Sequence, residues 1–579
     1  MKIINNLIRY VILLISGAVI IGFSNPDVSN NSIQTKCSIG LRNKSNKISA
    51  LINSKKSTSN FSTVKLFNYS SAQNDKALNT FVRSASFLAL DRSALDNMFR
   101  SKPENIVFSI PSSQSSSIDL ELTRVSVTTN NFNVIDGKKN ILSKEDNGIY
   151  YRGIIKDNPN SLASISIFPT FVMGLISNTE GNLVLGSILD AKNNYTSNYI
   201  LYNDRDLIVK NKFKCGIGDN ENKFVRNDKK PQNVTGENID GVELFKDTVA
   251  VYFEADYDMY TRFNNNPSLV TSFITGFFNY VALLYQNESI PFKISRIKIW
   301  TSTDPYANDT DSYTILQRFG YNTQDDFMGD LAHLLSTGHN QALGGISWIN
   351  VLCTAYNSSD YSGRYSFSNI DDTYLPYPTY SWTVECVTHE MGHSLGSYHT
   401  HTCHWPIDPN NPSIIGAIDS CYYAEGNCFS GWQPNYHGTI MSYCHLTGAI
   451  DFTQGFGPLP GDTIRYWFSV ASCIHSNLNS SEQPAFYSLL QNYPNPFNPS
   501  TNIKFALPED GYVYLNVYDV TGRTVARLVN GQYYSIGTYN YLFDAAQYNI
   551  ASGIYFYKLY VIKQSNQVYS QVKKMVLIK

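Results

Sequence analysis

The sequence predicts a multidomain protein: a β-rich N-terminal unit, a central α/β unit with a mixed twisted sheet, and a C-terminal β-sandwich. Three observations carry that reading. The chain has 579 residues, more than one hydrophobic core sustains. Short strand-like runs fill residues 81–210 and 491–579, whereas a strand, a helix and a strand follow one another from about 245. Polar stretches at 211–240 and 477–490 separate these segments. With 42% hydrophobic and 16% charged residues the chain suits globular units and not overall disorder, and its 41 Tyr favour β-structure. A net charge of -2 gives no sign of nucleic acid or an anionic membrane as partner.

Taken in order, Lys2 and Arg9 precede the apolar run Tyr10–Phe23, and Ser24, Asn25 and Pro26 follow it. A basic start, a short apolar stretch and small residues predict a secretory signal peptide over 1–24. The run is shorter than the roughly 20 residues a membrane span requires. No later segment reads as long and apolar enough either, so no transmembrane segment is expected. Export permits disulfides. Seven of the nine cysteines (Cys353, Cys386, Cys403, Cys421, Cys428, Cys444, Cys473) crowd into one stretch, while Cys37 and Cys215 stand apart. At most three bridges can form among the seven, which leaves one thiol over and the pairing open.

Residues 27–80 are Ser/Asn/Lys-rich and weakly patterned. Strands are expected at Ser117–Leu122, Ser164–Ile167 and Asn182–Leu185, with a turn at Asn158-Pro159. The stretch 211–240, with Lys212, Lys214, Lys223, Arg226, Lys229 and Lys230, reads as an exposed basic linker. Thr248–Phe253 reads as a strand. Asn266-Pro267-Ser268 starts a helix, because Val270, Phe273, Ile274, Phe277, Val281 and Leu284 recur at helical spacing. Phe292–Trp300 alternates as a second strand, so a βαβ unit in a mixed sheet is expected. In the last module Val513, Leu515 and Val517 face one way, and Tyr512, Tyr514 and Tyr518 the other. Turns at Thr521-Gly522, Asn530-Gly531 and Ser552-Gly553 divide it into the strands of a small sandwich.

The chemistry concentrates in Thr388-His-Glu-Met-Gly-His-Ser-Leu-Gly-Ser-Tyr-His399. His389 and His393 are one helical turn apart, so both imidazoles leave the same face toward one metal. Glu390 lies beside the first ligand, where it reaches a metal-bound water as general base without taking a coordination position. Gly396 ends the helix, since without a Cβ it takes the left-handed conformation that reverses the chain. His399 then approaches as third ligand. Three protein ligands leave the fourth corner of a tetrahedral Zn²⁺ open, the arrangement of a catalytic site. All ten His fall between 333 and 475, which is odd for histidines with purely structural roles. The bland alternative is a surface helix that carries histidines by chance. His401 and His404 read as surface or outer-shell residues more readily than as a second metal site. His437 and His445 read as neighbours of the ligands.

The pattern H-E-x-x-H-x-x-G-x-x-H, with Met441 in Gly438-Thr-Ile-Met-Ser-Tyr-Cys444, resembles the metzincin metalloproteases. The resemblance implies that Met441 lies beneath the metal as an apolar floor. Over about 245–476 the likeness is to the adamalysin/reprolysin group, through Asp330–Leu335, Leu343–Trp348 leading to Cys353, and the cysteine-rich stretch after the third His. Two departures stand out: Thr400 follows the third His where that group often has Asp, and Tyr443 stands two residues after the Met, as in astacins, serralysins and pappalysins. Tyr443 is either a displaceable fifth ligand or oxyanion donor, or a buried core tyrosine. The resemblance further implies that substrate lies extended along an edge strand that includes Gly344, Gly345 and Ile346.

Residues 81–210 resemble reprolysin propeptides, most clearly at Tyr151–Ser166, and Phe213-Lys-Cys-Gly216 resembles a cysteine switch. In such a switch the Cys215 thiolate occupies the open metal position; a disulfide with Cys37 is the alternative. Cutting near Lys229-Lys230 would release the inhibitor. The tail, with Asn492–Ser500, Tyr518–Arg523, Gly553–Tyr557 and the ending Lys573–Lys579, resembles the C-terminal sorting domain of the type IX (Por) secretion system. The expected organisation is therefore a signal peptide (1–24), a propeptide (25–240), a metzincin catalytic domain with a zinc-binding helix (241–476), a linker (477–490) and a sorting sandwich (491–579). The implied function is a secreted or surface-located zinc metalloendopeptidase made as a zymogen. It would pass through the periplasm, act on proteins or peptides as a monomer, and engage the type IX machinery. The alternative is a surface adhesin with an inactive protease-like domain. One catalytic Zn²⁺ is expected; a Ca²⁺ site is allowed by the sequence but not shown by it.

Overall fold

The computed structural model of the protein describes residues 46–70, 78–208, 215–217, 221–226, 248–338, 344–370, 376–407, 414–419, 421, 428, 437–446, 449–474, 487–492, 495–534, 537–548, 550–563 and 568–578. The signal-peptide assignment, Cys37, the cleavage point near Lys229-Lys230 and most of the 477–490 linker lie outside the described residues.

Two sheets and one helix between them position the site. The N-terminal unit is a ten-stranded sheet with strands in the order 62–65, 105–111, 117–125, 149–155, 162–167, 172–178, 181–189, 195–203, 86–90 and 67–70. Every pairing in it is antiparallel except the first. The second sheet has seven strands: β1 (Thr128–Asp136), β2 (Ile141–Ser143), β3 (Val249–Ala255), β4 (Phe292–Ile299), β5 (Leu331–Ser336), β6 (Gly345–Ser347) and β7 (Tyr365–Asn369). Their spatial order is β6-β7-β5-β3-β4-β1-β2, with antiparallel pairs only at the two ends. The expected mixed sheet is therefore present. Its far edge, β1 and β2, comes from the N-terminal unit: Arg296 pairs with Asn133 and Ile299 with Asp136.

Helix α1 (Pro267–Asn287) joins β3 to β4 and starts where the sequence places it. The Asn266 side chain accepts from the backbone of Ser268 and Leu269, and Pro267 stands at the first helical position. By length and composition this helix is apolar enough to cross a membrane, which corrects the expectation that no later segment is. Its burial explains the composition, because α1 is covered on all sides. One face packs on its own sheet. The other meets the ten-stranded sheet, where Ser166 Oγ donates to the Gly276 carbonyl (3.0 Å) and Tyr280 OH to Ser177 Oγ (2.5 Å). Arg152, buried and pushed down to about 9 by that burial, donates to Asn279 Oδ1 (2.9 Å) and Gln286 Oε1 (2.7 Å) of α1. One hydrophobic cluster accordingly runs from Ile48 to Ile474.

Helix α2 (Tyr380–Ser394) packs on α1, and Tyr285 OH donates to the Thr388 carbonyl (2.9 Å). Three disulfides join Cys353 to Cys473, Cys403 to Cys428 and Cys421 to Cys444, with Cys386 the thiol left over in that stretch. The C-terminal residues form a three-stranded and a four-stranded sheet around a separate core. There Val513, Leu515 and Val517 are buried, whereas Tyr512 is exposed, as the alternation requires.

Candidate metal centre and cleft

Both His389 and His393 leave the same face of α2, which ends one residue after His393. Gly396 takes φ +93°, and its amide donates to the His393 carbonyl (2.7 Å). That reversal brings His399 back: His393 Nε2 lies 3.2 Å from His389 Nε2 and 3.2 Å from His399 Nε2. All three rings are buried. The Nδ1 of His389 faces the Ile440 carbonyl at 2.8 Å, and that of His393 the Ser397 carbonyl at 2.7 Å. A carbonyl only accepts, so both rings carry the proton on Nδ1 and turn a lone pair inward. Lone pairs converging at 3.2 Å repel one another unless a cation sits among them. A tetrahedral zinc with bonds of about 2.0–2.1 Å sets its nitrogens about 3.3–3.4 Å apart, so the donor set fits such an ion.

The fourth donor of this group is Cys215, whose Sγ is 3.8 Å from His393 Nε2; the four ligand atoms lie within 4.8 Å of one another. Cys215 is a buried free thiol. Burial and the neighbouring Glu390 carboxylate hold it well above its usual range, so a thiolate there requires a cation at the imidazoles. Its Sγ donates to Glu390 Oε2 at 3.5 Å. Glu390 is fully buried, and that burial raises its carboxyl well above the ordinary range. A Cβ at Gly345 would stand 2.3 Å from Glu390 Oε1, so the absence of a side chain on β6 makes room for the carboxylate.

Met441 is fully buried under α2, its Sδ 2.6 Å from where a Gly392 Cβ would be. The backbone of Thr400 donates to its carbonyl at 3.0 Å. Thr400 Oγ1 also donates to Asp419 Oδ2. The carboxylate missing directly after the third His is thus supplied from nineteen residues downstream. Tyr443 is buried, with its ring 4.9 Å from that of His399; its OH accepts from the Cys215 amide at 3.0 Å.

Gly344, Gly345 and Ile346 form or adjoin the β6 edge, and residues 215–217 and 221–226 contact it and the chain that follows it. Gly216 donates to the Gly345 carbonyl (2.7 Å), Ile349 to that of Phe224 (3.0 Å), and Arg226 to that of Ile349 (3.2 Å). The expectation of an exposed linker over 211–240 is corrected at residues 215–217 and 221–226, the rest of that range lying outside the described residues. Cys215, Ile217, Glu221 and Phe224 are buried, because this edge and the aromatic wall of Trp348 and Tyr313 cover them. Arg226 sits 4.1 Å above the Trp348 ring and pairs with Asp360 at 3.1 Å.

The other histidines divide. His333 is structural: burial pushes it down to about 3, and two serines hold it, Ser368 Oγ at 2.9 Å and Ser366 Oγ at 2.6 Å. His401 stacks on His399 at 4.9 Å, and His445 Nδ1 is 2.8 Å from Glu385 Oε1; the side chain of His437 lies outside the described residues. Among the described residues a second group with metal-ligand spacing is Asp419, Cys421 and Cys444. Its cysteines are joined to each other, which removes them as ligands. The sequence reading missed Glu221. Its Oε1 lies 2.9 Å from His399 Nδ1 and accepts the His399 amide at 3.0 Å. One acidic residue among polar neighbours carries no signal of that contact.

Residues 246–452 match the family model of metallo-peptidase family M12 in its reprolysin form, and residues 491–579 that of a secretion system C-terminal sorting domain. The chain therefore carries a reprolysin-type M12 metallopeptidase domain and a Por-type sorting domain. The latter indicates export by type IX secretion to the cell surface or the extracellular space. The disintegrin and metalloproteinase domain-containing protein adm-2 of Caenorhabditis elegans is 23% identical over 319 residues, 53% of this chain and 29% of its own length. Snake venom metalloproteinase fibrolase of Macrovipera lebetinus is 26% identical over 149 residues, 25% of this chain and 69% of its own. The match thus spans less than a third of the nematode relative. Metalloproteinase-II from Bacteroides fragilis superposes with a TM-score of 0.29 at 10% identity, covering 61% of this chain and 94% of that one.

Proposed function

We propose that this chain is a zinc metalloendopeptidase of the metzincin type, exported as a latent precursor whose N-terminal unit is the propeptide. The observation that carries the reading is the convergence of three buried imidazole nitrogens beside a buried carboxylate, with a thiol at the remaining corner. His389, His393 and His399 would hold the zinc. When bound, it supplies Lewis acidity that makes water nucleophilic near neutral pH and polarises the scissile carbonyl.

The chain's own residues do the rest. Glu390 takes the proton of the attacking water and returns it to the leaving amine. Room for it beside the β6 edge, where Gly345 has no side chain, supports that role. An extended substrate pairs along Gly344, Gly345 and Ile346, the edge to which Gly216 is hydrogen-bonded in the uncut chain. Cys215 keeps the fourth corner from water until the chain is cut near Lys229-Lys230. Tyr443 OH, engaged with the Cys215 amide, becomes free to donate to the oxyanion once that segment leaves. One carboxylate serves both proton transfers and needs no second acid.

Hydrolysis of casein by the uncut parent, uncut Cys215→Ala and cut parent, each with and without a zinc chelator, tests this. Chelation should abolish activity in every active sample, and Cys215→Ala should raise basal activity of the uncut chain. Chelator-resistant hydrolysis would sink the metal reading. Equal latency of Cys215→Ala and parent would sink the thiol as inhibitor.

A further inference from the structure

We infer that Glu221 is the carboxylate that orients the third metal ligand while the N-terminal unit remains joined, so that the segment blocking the metal centre also assembles it. This rests on the zinc and latency readings above. His389 and His393 are oriented by carbonyls of their own domain, Ile440 and Ser397. The Nδ1 of His399 lies 2.9 Å from Glu221 Oε1 instead, at ion-pair distance and without hydrogen-bond alignment. The same oxygen accepts the His399 amide at 3.0 Å, and Oε2 lies 3.6 Å from Nδ1 of His404. A carboxylate beside Nδ1 favours the tautomer that keeps the proton there and leaves the Nε2 lone pair for a metal, and its bond from the His399 amide fixes the residue that carries the ring.

Glu221 is placed by the contacts of its own short turn. It opens a short turn (Glu221–Lys223) closed by the Phe224 amide on its carbonyl at 2.9 Å. Phe224 is buried against Trp348, Val225 is bridged in parallel to Ile349, and Arg226 is stacked and ion-paired on the same wall. A carboxylate 3% exposed is costly to bury without cationic or strongly donating partners. A metal-bound imidazole with the adjacent His404 supplies them. Cys215 and Glu221 are six residues apart in the sequence and both touch the three-histidine group, so withdrawing this part of the chain removes both: the inhibitor from the fourth corner and the orienting carboxylate from His399.

The test is zinc affinity of the uncut chain, read by competition with a chromophoric chelator, for the parent, Glu221→Ala and Glu221→Gln, each also with Cys215→Ala. Glu221→Ala should weaken zinc binding by about 10–100-fold, whether Cys215 is kept or replaced. Glu221→Gln keeps an acceptor oxygen and should lose less. The visible spectrum of the cobalt-substituted uncut chain should shift in Glu221→Ala and recover toward the parent in Glu221→Gln. Unfolding of the metal-free Glu221→Gln chain at the parental temperature would place the loss at the metal and not in the fold. Parental zinc affinity and cobalt spectrum in Glu221→Ala would overturn the inference. A zinc loss that vanishes when Cys215→Ala is also present would overturn it too, because the effect would then belong to the thiol. An uncut Cys215→Ala chain that stays inactive removes the thiol switch and leaves the Glu221 measurement standing.

Discussion

At the scale of single residues, spacing made the three converging histidines legible and distance hid their supports. His389, His393 and His399 fall within eleven positions, so helix geometry and one glycine determine where their rings meet. Glu390 followed from the same arithmetic. Glu221, Asp419 and Gly345 did not, because each acts through a contact across a chain reversal that local pattern cannot reveal. Gly345 carries a direct prediction. A methyl group there would stand 2.3 Å from Glu390 Oε1, so Gly345→Ala must swing the carboxylate away from its place beside the three imidazoles. We expect kcat/KM of the cut enzyme to fall by about 10²-fold, as roughly ångström misplacements do, with unfolding temperature and zinc content little changed. Parental kinetics would show that Glu390 has slack at that position.

At the scale of elements, the sequence located α1, β3 and β4 almost to the residue but showed only half the surroundings of α1. Helical spacing of Val270, Phe273, Ile274, Phe277, Val281 and Leu284 identifies a buried stripe. Asn279 and Tyr280 are buried too, because the ten-stranded sheet covers the remaining face. The stop of α2 was legible for a simpler reason: Gly396 has φ +93°, a conformation other residues rarely take, and a Cβ there would stand 2.4 Å from Trp467 Cδ1. Gly396→Ala should therefore cost more than about 1 kcal/mol and shift His399. Thermal unfolding and zinc titration of the same sample check this, and parental values in both would show that the reversal tolerates a side chain.

At the scale of the whole molecule, the boundary at 240 separates sequence segments that share one core. Strand β1 pairs with β4 from more than 150 positions earlier, and one cluster includes Ile48, Phe168, Met173, Phe277 and Ile474. No local pattern encodes a pairing so distant, which is why the N-terminal sheet read as a separate domain. The magnitudes matter. Baring only three large side chains of α1 forfeits about 5–9 kcal/mol, comparable with the whole stability of a domain, about 5–15 kcal/mol, and an unpaired β4 edge invites aggregation. Residues 248–474 produced without 46–226 should therefore be insoluble or lack fixed tertiary structure by near-UV circular dichroism. A soluble fragment with a sharp unfolding transition would show that the sheet is a cover and not part of the fold.

The central claim is that Glu390 moves the protons at a metal centre held by three imidazoles. Its most direct measurement is kcat/KM of cut Glu390→Gln carrying one zinc per chain. The account predicts a loss of at least about 10²–10⁴-fold at unchanged zinc content. Hydrolysis at the parental rate would contradict it.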